Sequence, residues 1–113
     1  MERTLSCAAL KALIADRGSI TVVDVRRRPA FEAEPRLIPG AVWNDPEQVA
    51  IWAAELNRNR PVVVYCVRGH EVSNGVVDRL LELGFEAALV AGGLEAWKAA
   101  GGPVTLSRGG TGP

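Results

Sequence analysis

Soft ligands and aromatic residues are scarce in this chain. Its 113 residues hold one His, two Cys, one Met, one Tyr and two Phe. One His and two Cys cannot supply the four soft ligands of a structural zinc site. Nor do two Cys make a disulfide framework in a chain able to bury its own core. Net charge is absent as well, since 13 Lys and Arg face 13 Asp and Glu. That balance excludes the broad basic footprint of a nucleic-acid binder and an acidic footprint for cations. No apolar run approaches the roughly 18 residues that span a membrane. Met1-Glu2-Arg3-Thr4-Leu5 lacks the basic region and apolar run of a secretory signal. The expectation is a cytoplasmic protein with both thiols reduced, without nucleic-acid or membrane partners.

What is present is ordinary for a globular domain: 48% hydrophobic and 23% charged residues. A chain of this length buries roughly 60–70% of its unfolded surface, enough for a core without staples. One domain is expected over residues 1–106, with 107–113 (SRGGTGP) as a frayed tail.

Helix-period and strand-like segments alternate, which predicts an α/β domain with a mostly parallel sheet. Leu10, Leu13 and Ile14 follow Ser6, a possible N-cap, and Gly18 closes that helix. Ile20–Val25 reads as a strand buried on both faces, and Val62–Tyr65, after Pro61, as a second. Between them, Arg26–Glu34 is a loop or short helix, and Ala41–Trp43 a very short strand. Asp45, Pro46 and Gln48 form an Asp-x-x-Gln capping box for a helix whose face is Val49, Trp52, Ala53 and Leu56. Val76, Val77, Leu80 and Leu81 mark another helix face, with Gly84 as the residue past its end. Ala87–Ala91 is the last strand and Leu94–Ala100 the last helix, stopped by Gly101-Gly102-Pro103.

Ligands of open parallel sheets bind beyond the carboxyl ends of the strands. Asp24-Val25-Arg26, Cys66–Ser73 and Gly92-Gly93 converge there. Cys66 ends a buried strand, and a helix starts near Ser73, with Ser73 as its cap and Val72 stapling onto Val77. Backbone N–H groups and the macrodipole at that helix start stabilise negative charge. They lower a thiol pKa, raise its thiolate fraction, and cradle a thiosulfate, phosphate or arsenate oxyanion. The bland reading of Cys66 is a buried, inert cysteine chosen for size. Cys7, near the start of the first helix, reads as a packing or surface cysteine.

The chain resembles a single-domain rhodanese-like sulfurtransferase over nearly its whole length. The likeness rests on Val23-Asp24-Val25-Arg26, Leu37-Ile38-Pro39-Gly40-Ala41, Val63-Val64-Tyr65-Cys66 with Gly69, and Leu83-Gly84-Phe85. Gly92-Gly93-Leu94-Glu95-Ala96-Trp97 and Ala100-Gly101-Gly102-Pro103-Val104 complete it. The resemblance implies a five-stranded, mostly parallel sheet flanked by helices on both faces. It implies that Cys66 carries sulfane sulfur as a persulfide, from thiosulfate or a persulfide donor to a thiol, cyanide or a partner protein. No metal or organic cofactor is needed. Two alternatives stand beside it: a non-catalytic or redox-sensing module, and an arsenate reductase or phosphatase of the related branch.

Two positions depart from the family pattern. Leu37 stands where a His usually precedes Ile-Pro-Gly-Ala. Counting Cys66 to Val72 gives a loop one residue longer than the usual sulfurtransferase loop, like that of the Cys-x5-Arg branch. Position 72, however, is Val, so the bidentate clamp on a phosphoryl group is missing. Val67, Arg68, Gly69, His70, Glu71, Val72 and Ser73 are the expected anion-binding loop. Arg68 contacts an anionic donor or is a solvated cation. His70 protonates a leaving group, shapes the pocket, or points into water. Glu71 opposes an anion there, so it turns outward or pairs with Arg26 or Arg68. Asp24 reads as a structural acceptor tying loops together. Arg26-Arg27-Arg28 steers anions or forms a solvated turn, and Trp43 and Trp97 are core or pocket wall. Gly92-Gly93 allows a tight turn near the loop.

This placement predicts a Cys66 thiol that titrates below the ordinary cysteine value of about 8.5. Alkylation rate against pH measures it, and a midpoint at or above that value would refute the expectation.

Overall fold

The computed structural model describes residues 1–16, 19–69 and 71–106. Five strands make the main sheet: β1 (Thr4–Leu5), β2 (Thr21–Asp24), β4 (Val42–Trp43), β5 (Val62–Tyr65) and β6 (Ala87–Val90). Their order is β1-β6-β5-β2-β4, and every pairing is parallel. All four residues of β5 and of β6 are buried, as expected of β-branched and small apolar strands covered on both faces. Two further two-residue strands, β3 (Arg36–Leu37) and β7 (Thr105–Leu106), pair antiparallel outside it.

Alternation along the strands sorts the core into two layers. Val23, Val62, Val64, Cys66 and Leu89 pack on one face with Val49 and Trp52 of α3 (Val49–Ala53) and Val76, Val77 and Leu80 of α4 (Glu71–Glu82). Val22, Val63, Tyr65 and Val90 pack on the other, with Leu10 of α1 (Cys7–Ala15) and Leu94 and Trp97 of α5 (Gly93–Ala99). The expected α/β architecture with helices on both faces is therefore present.

Local signals explain most helix ends. Ser6 Oγ accepts from Ala9 N at 3.0 Å and starts α1; the expected stop at Gly18 lies outside the described residues, and α1 ends at Ala15. Past α4, Gly84 adopts φ +93, with Gly84 N donating to Leu81 O and Phe85 N to Leu80 O, both at 3.0 Å. That pair of bonds is the Schellman closure, which needs a left-handed residue at this point. Two expectations are corrected. Asp45 does cap, but its carboxylate accepts from Glu47 N at 2.9 Å. Residues Pro46–Gln48 form a 3-10 turn, so Gln48 completes no capping box there. The α3 helix then stops at Ala53, and Leu56 packs against the core from a following turn. Arg28–Ala33 forms a short helix, α2.

A buried ion pair ties the mouth of the sheet together. Asp24, at the end of β2, is 0% exposed and Arg26 is 2% exposed. Arg26 Nη2 donates to Asp24 Oδ2 at 2.7 Å, and Nε to both carboxylate oxygens at 2.9 and 3.1 Å. Nη1 donates to the Glu34 carbonyl at 2.8 Å and Nη2 also to the Arg36 carbonyl at 3.0 Å. Burial pushes the Asp24 carboxyl above its ordinary range, while contact with Arg26 pulls it back.

Arg26→Met strands the carboxylate in the core, and is expected to cost about 3–5 kcal/mol in urea unfolding. Without the guanidinium the upward push on Asp24 is opposed only by the backbone N–H of residue 26 and the Tyr65 hydroxyl. The variant's deficit is therefore smaller at low pH, where the carboxyl is neutral, and grows as pH rises. A deficit independent of pH would contradict this account.

Candidate active site

The sulfur of Cys66 lies where β5 gives way to α4. Cys66 is 5% exposed and forms part of the floor of a cavity of about 340 Å³, lined also by Arg26, Arg27, Ala30, Val67, Arg68, Glu71 and Val72. Its Sγ accepts a hydrogen bond from Gly69 N–H at 3.2 Å. The thiol donates to the Ser73 hydroxyl at 3.3 Å, and Ser73 is fully buried. When the sulfur is a thiolate, the same hydroxyl can turn and donate to it.

The helix begins at Glu71, earlier than the sequence suggests. Ser73 therefore lies inside the first turn and is not the cap. Only residues 66–70 connect β5 to α4, so the seven-residue count from Cys66 to Val72 includes two residues of the helix itself. The first N–H groups of a helix have no acceptor within it, and the macrodipole adds partial positive charge there. Val72, half-buried, packs against the core cluster beside the cavity and offers no charge at position 72.

Two glycines let a second backbone press against this loop. Gly93 has φ +61, and a Cβ on it would stand 2.4 Å from the Cys66 carbonyl oxygen. A Cβ on Gly69, at φ +75, would stand 2.9 Å from Gly92 N and Val90 O. With no side chain between them, Leu94 N donates to Cys66 O at 2.9 Å and Glu95 N to Val67 O at 3.0 Å. In a trans peptide the N–H points opposite to the C=O. The N–H groups of Val67 and Arg68 are thus turned away from α5, while that of Gly69 reaches the sulfur.

The other expected residues distribute as follows. Arg68 and Glu71 are exposed at the rim of the cavity that both line; no ion pair joins Glu71 to Arg26 or Arg68 among the described residues, so neither expected disposition of Glu71, turned away from the site or paired, is met. His70 lies outside the described residues. Asp24 and Arg26 brace the site from behind, with the Tyr65 hydroxyl against Asp24 and accepting from Ile38 N at 3.1 Å. Trp43 stacks on Phe31, ring centroids 5.0 Å apart, and Trp97 is core. Arg27, from the arginine run expected to steer anions or form a solvated turn, stands on the cavity wall as the cap residue of α2; Ala30, within α2, was not singled out by sequence, and Pro29 inside a charged stretch was the sole local sign of that helix.

Cys7 is half-buried, its Sγ 4.0 Å from Ala91 O, and burial pushes its thiol pKa up. It follows β1, whereas Cys66 follows β5, and β6 runs between them. Two strand spacings, roughly 9–10 Å, separate the two chain paths, beyond disulfide reach without backbone movement. Among the described residues no group of three or more His, Cys, Asp or Glu is placed to hold a metal ion. No helix among them is long and apolar enough to cross a membrane. A larger cavity of about 440 Å³, beside Leu13, Val42 and Arg60, contains neither cysteine.

The family model for the Rhodanese-like domain matches residues 6–100. Among solved structures, a rhodanese-like domain from Anabaena is 33% identical over 95% of this chain and 81% of its own, with TM-score 0.79. A full-length protein from Lactobacillus plantarum is 30% identical over 93% of this chain and 88% of its own, with TM-score 0.84. A Rhodopseudomonas palustris protein of unknown function, described as a possible tyrosine phosphatase, is 25% identical over 91% and 84%, with TM-score 0.77. No curated protein matches the chain.

Ser73→Ala removes the hydroxyl at the sulfur while leaving a residue suited to a helix. Loss of one hydrogen bond to a charged acceptor predicts roughly tenfold slower alkylation of Cys66 at neutral pH, with the fold retained. An unchanged rate would show that the hydroxyl does not act on the sulfur.

Proposed function

The chain belongs to the rhodanese-like domain family, and from that premise we propose that it is a sulfurtransferase working through a Cys66 persulfide. The observation that carries this reading is the sulfur at the cavity floor, held between the Gly69 N–H at 3.2 Å and the Ser73 hydroxyl at 3.3 Å. A nucleophilic thiolate needs such donors, and so does the terminal sulfur that follows it.

In the first step the Cys66 thiolate attacks the outer sulfur of thiosulfate. A new S–S bond forms at Sγ, the bond to the sulfonate sulfur breaks, and sulfite leaves with the electron pair. The persulfide anion stays beneath the loop, where the N–H groups of residues 67–69 and the start of α4 offset its charge. In the second step an acceptor nucleophile, a thiol or cyanide or a thiol on a partner protein, attacks the terminal sulfur. The Cys66 thiolate is the leaving group, and the enzyme is restored. No metal or organic cofactor enters either step. Reduced thiols of this kind suit a cytoplasmic setting.

Phosphate chemistry is the weaker reading despite the shared cysteine loop. A transferring phosphoryl group needs its equatorial charge neutralised, and an arginine fork does this in the Cys-x5-Arg branch. Here Val72 occupies that place and gives the cavity an uncharged wall that packs against the core. Sulfur transfer asks for less, because attack is on a polarisable sulfur and sulfite is a stable leaving anion. The redox-sensing alternative lacks a resolving thiol within reach, given β6 between Cys7 and Cys66.

Intact mass after thiosulfate treatment tests the proposal. A one-sulfur adduct that cyanide removes is expected on the unmodified chain and on Cys7→Ser, and is absent from Cys66→Ser. Thiocyanate production should follow the same pattern. Cys66-dependent hydrolysis of aryl phosphates without any persulfide would overturn the reading.

A further inference from the structure

The charge balance of the Cys66 cavity differs from that of the whole chain. Four charged side chains line it: Arg26, Arg27, Arg68 and Glu71. Arg26 is cancelled by Asp24 at 2.7 Å. Arg28, just outside, leans on Glu32 and Asp45 at 3.9 and 3.8 Å. Arg27 and Arg68 are exposed, and neither enters an ion pair among the described residues. One comes from the start of α2 and the other from the loop beside the sulfur. The mouth thus holds two uncompensated guanidinium groups and one carboxylate, in a chain whose formal charge is zero.

Size points the same way. A cavity of about 340 Å³ is within the range of pockets that enclose organic ligands, and an inorganic oxyanion fills only a small part of it. Ala30, Val67 and Val72 supply apolar wall between the charges, which suits a carbon chain. We propose that the cavity takes an organic persulfide bearing carboxylates, with Arg27 and Arg68 binding those carboxylates. The proposal rests on the sulfurtransfer reading and narrows its donor. Glu71 leaves a place for an ammonium, so a thiol of amino-acid or small-peptide type matches all three charges. The Cys66 thiolate attacks the outer sulfur of R–S–SH. The Sγ–S bond forms as the donor S–S bond breaks, R–S⁻ departs with the electron pair, and the outer sulfur keeps its proton. No net oxidation occurs.

The test compares single-turnover loading of Cys66, read by intact mass, with three donors: thiosulfate, glutathione persulfide and the persulfide of glutathione dimethyl ester. The ester keeps the ammonium and the carbon chain but has no free carboxylate. Two solvent-exposed contacts are together worth roughly tenfold. The free acid is therefore expected to load about tenfold faster than the ester, and Arg27→Gln with Arg68→Gln is expected to bring that ratio toward one. Equal loading of acid and ester by the unmodified chain would overturn the proposal, as would a ratio that survives the double substitution. Failure of all three donors to load Cys66 would instead overturn the sulfurtransfer reading beneath it.

Discussion

Two backbones meet at the active loop with nothing between them, and most of the site follows from that contact. Gly69 and Gly93 both adopt positive φ, and a methyl on either would collide with the other segment. Because they lack one, the first turn of α5 comes close enough to bind the carbonyls of Cys66 and Val67. Fixing those carbonyls fixes the direction of the following N–H groups. The loop is therefore oriented by a helix almost thirty residues downstream. That helix is itself anchored, since Trp97 Nε1 donates to Pro103 O at 2.7 Å and Gly102 lies flat against the indole.

The second support comes from the opposite side. Asp24 and Arg26 are two residues apart, yet Arg26 reaches the carbonyls at both Glu34 and Arg36. Removing both charges from water is costly, and such pairs contribute less net stability than their geometry suggests. Their effect here is positional. All three nitrogens of the fork are committed, so α2 is held over the sheet end, and Arg27 and Ala30 come to the cavity wall. Phe31 and Trp43 stack beside it, with the Arg26 guanidinium 5.3 Å from the Phe31 ring centre.

Electrostatics at the sulfur is local for the same reason. The chain has no net charge to focus, so stabilisation of an anion depends on the few donors aimed at it. A helix start acts within about one turn, and Cys66 is placed within that distance by a connection of only five residues. Ser73 and Gly69 then contact the sulfur from two directions.

Much of this was legible along the chain because local rules carry it. Buried β-branched runs alternating with helical faces require a parallel sheet with both sides covered, and a strand that ends in Cys66 before a helix puts a thiol at an anion site. Gly84 closes α4 because only glycine readily takes that left-handed φ. The two-residue strands β1, β3 and β7 carry no periodicity to read, and only their partners define them. Asp45 signalled a cap, yet packing of Val49 and Trp52 decided that a 3-10 turn precedes α3. Ser73 looked like a cap because such residues prefer that role, whereas its burial beside Cys66 draws it into the helix. The glycine pair against the loop, the reach of Arg26 and the two unpaired arginines at the mouth all depend on residues far apart in sequence. Short-range propensity encodes what one segment prefers; only packing decides which segments face each other across the sulfur.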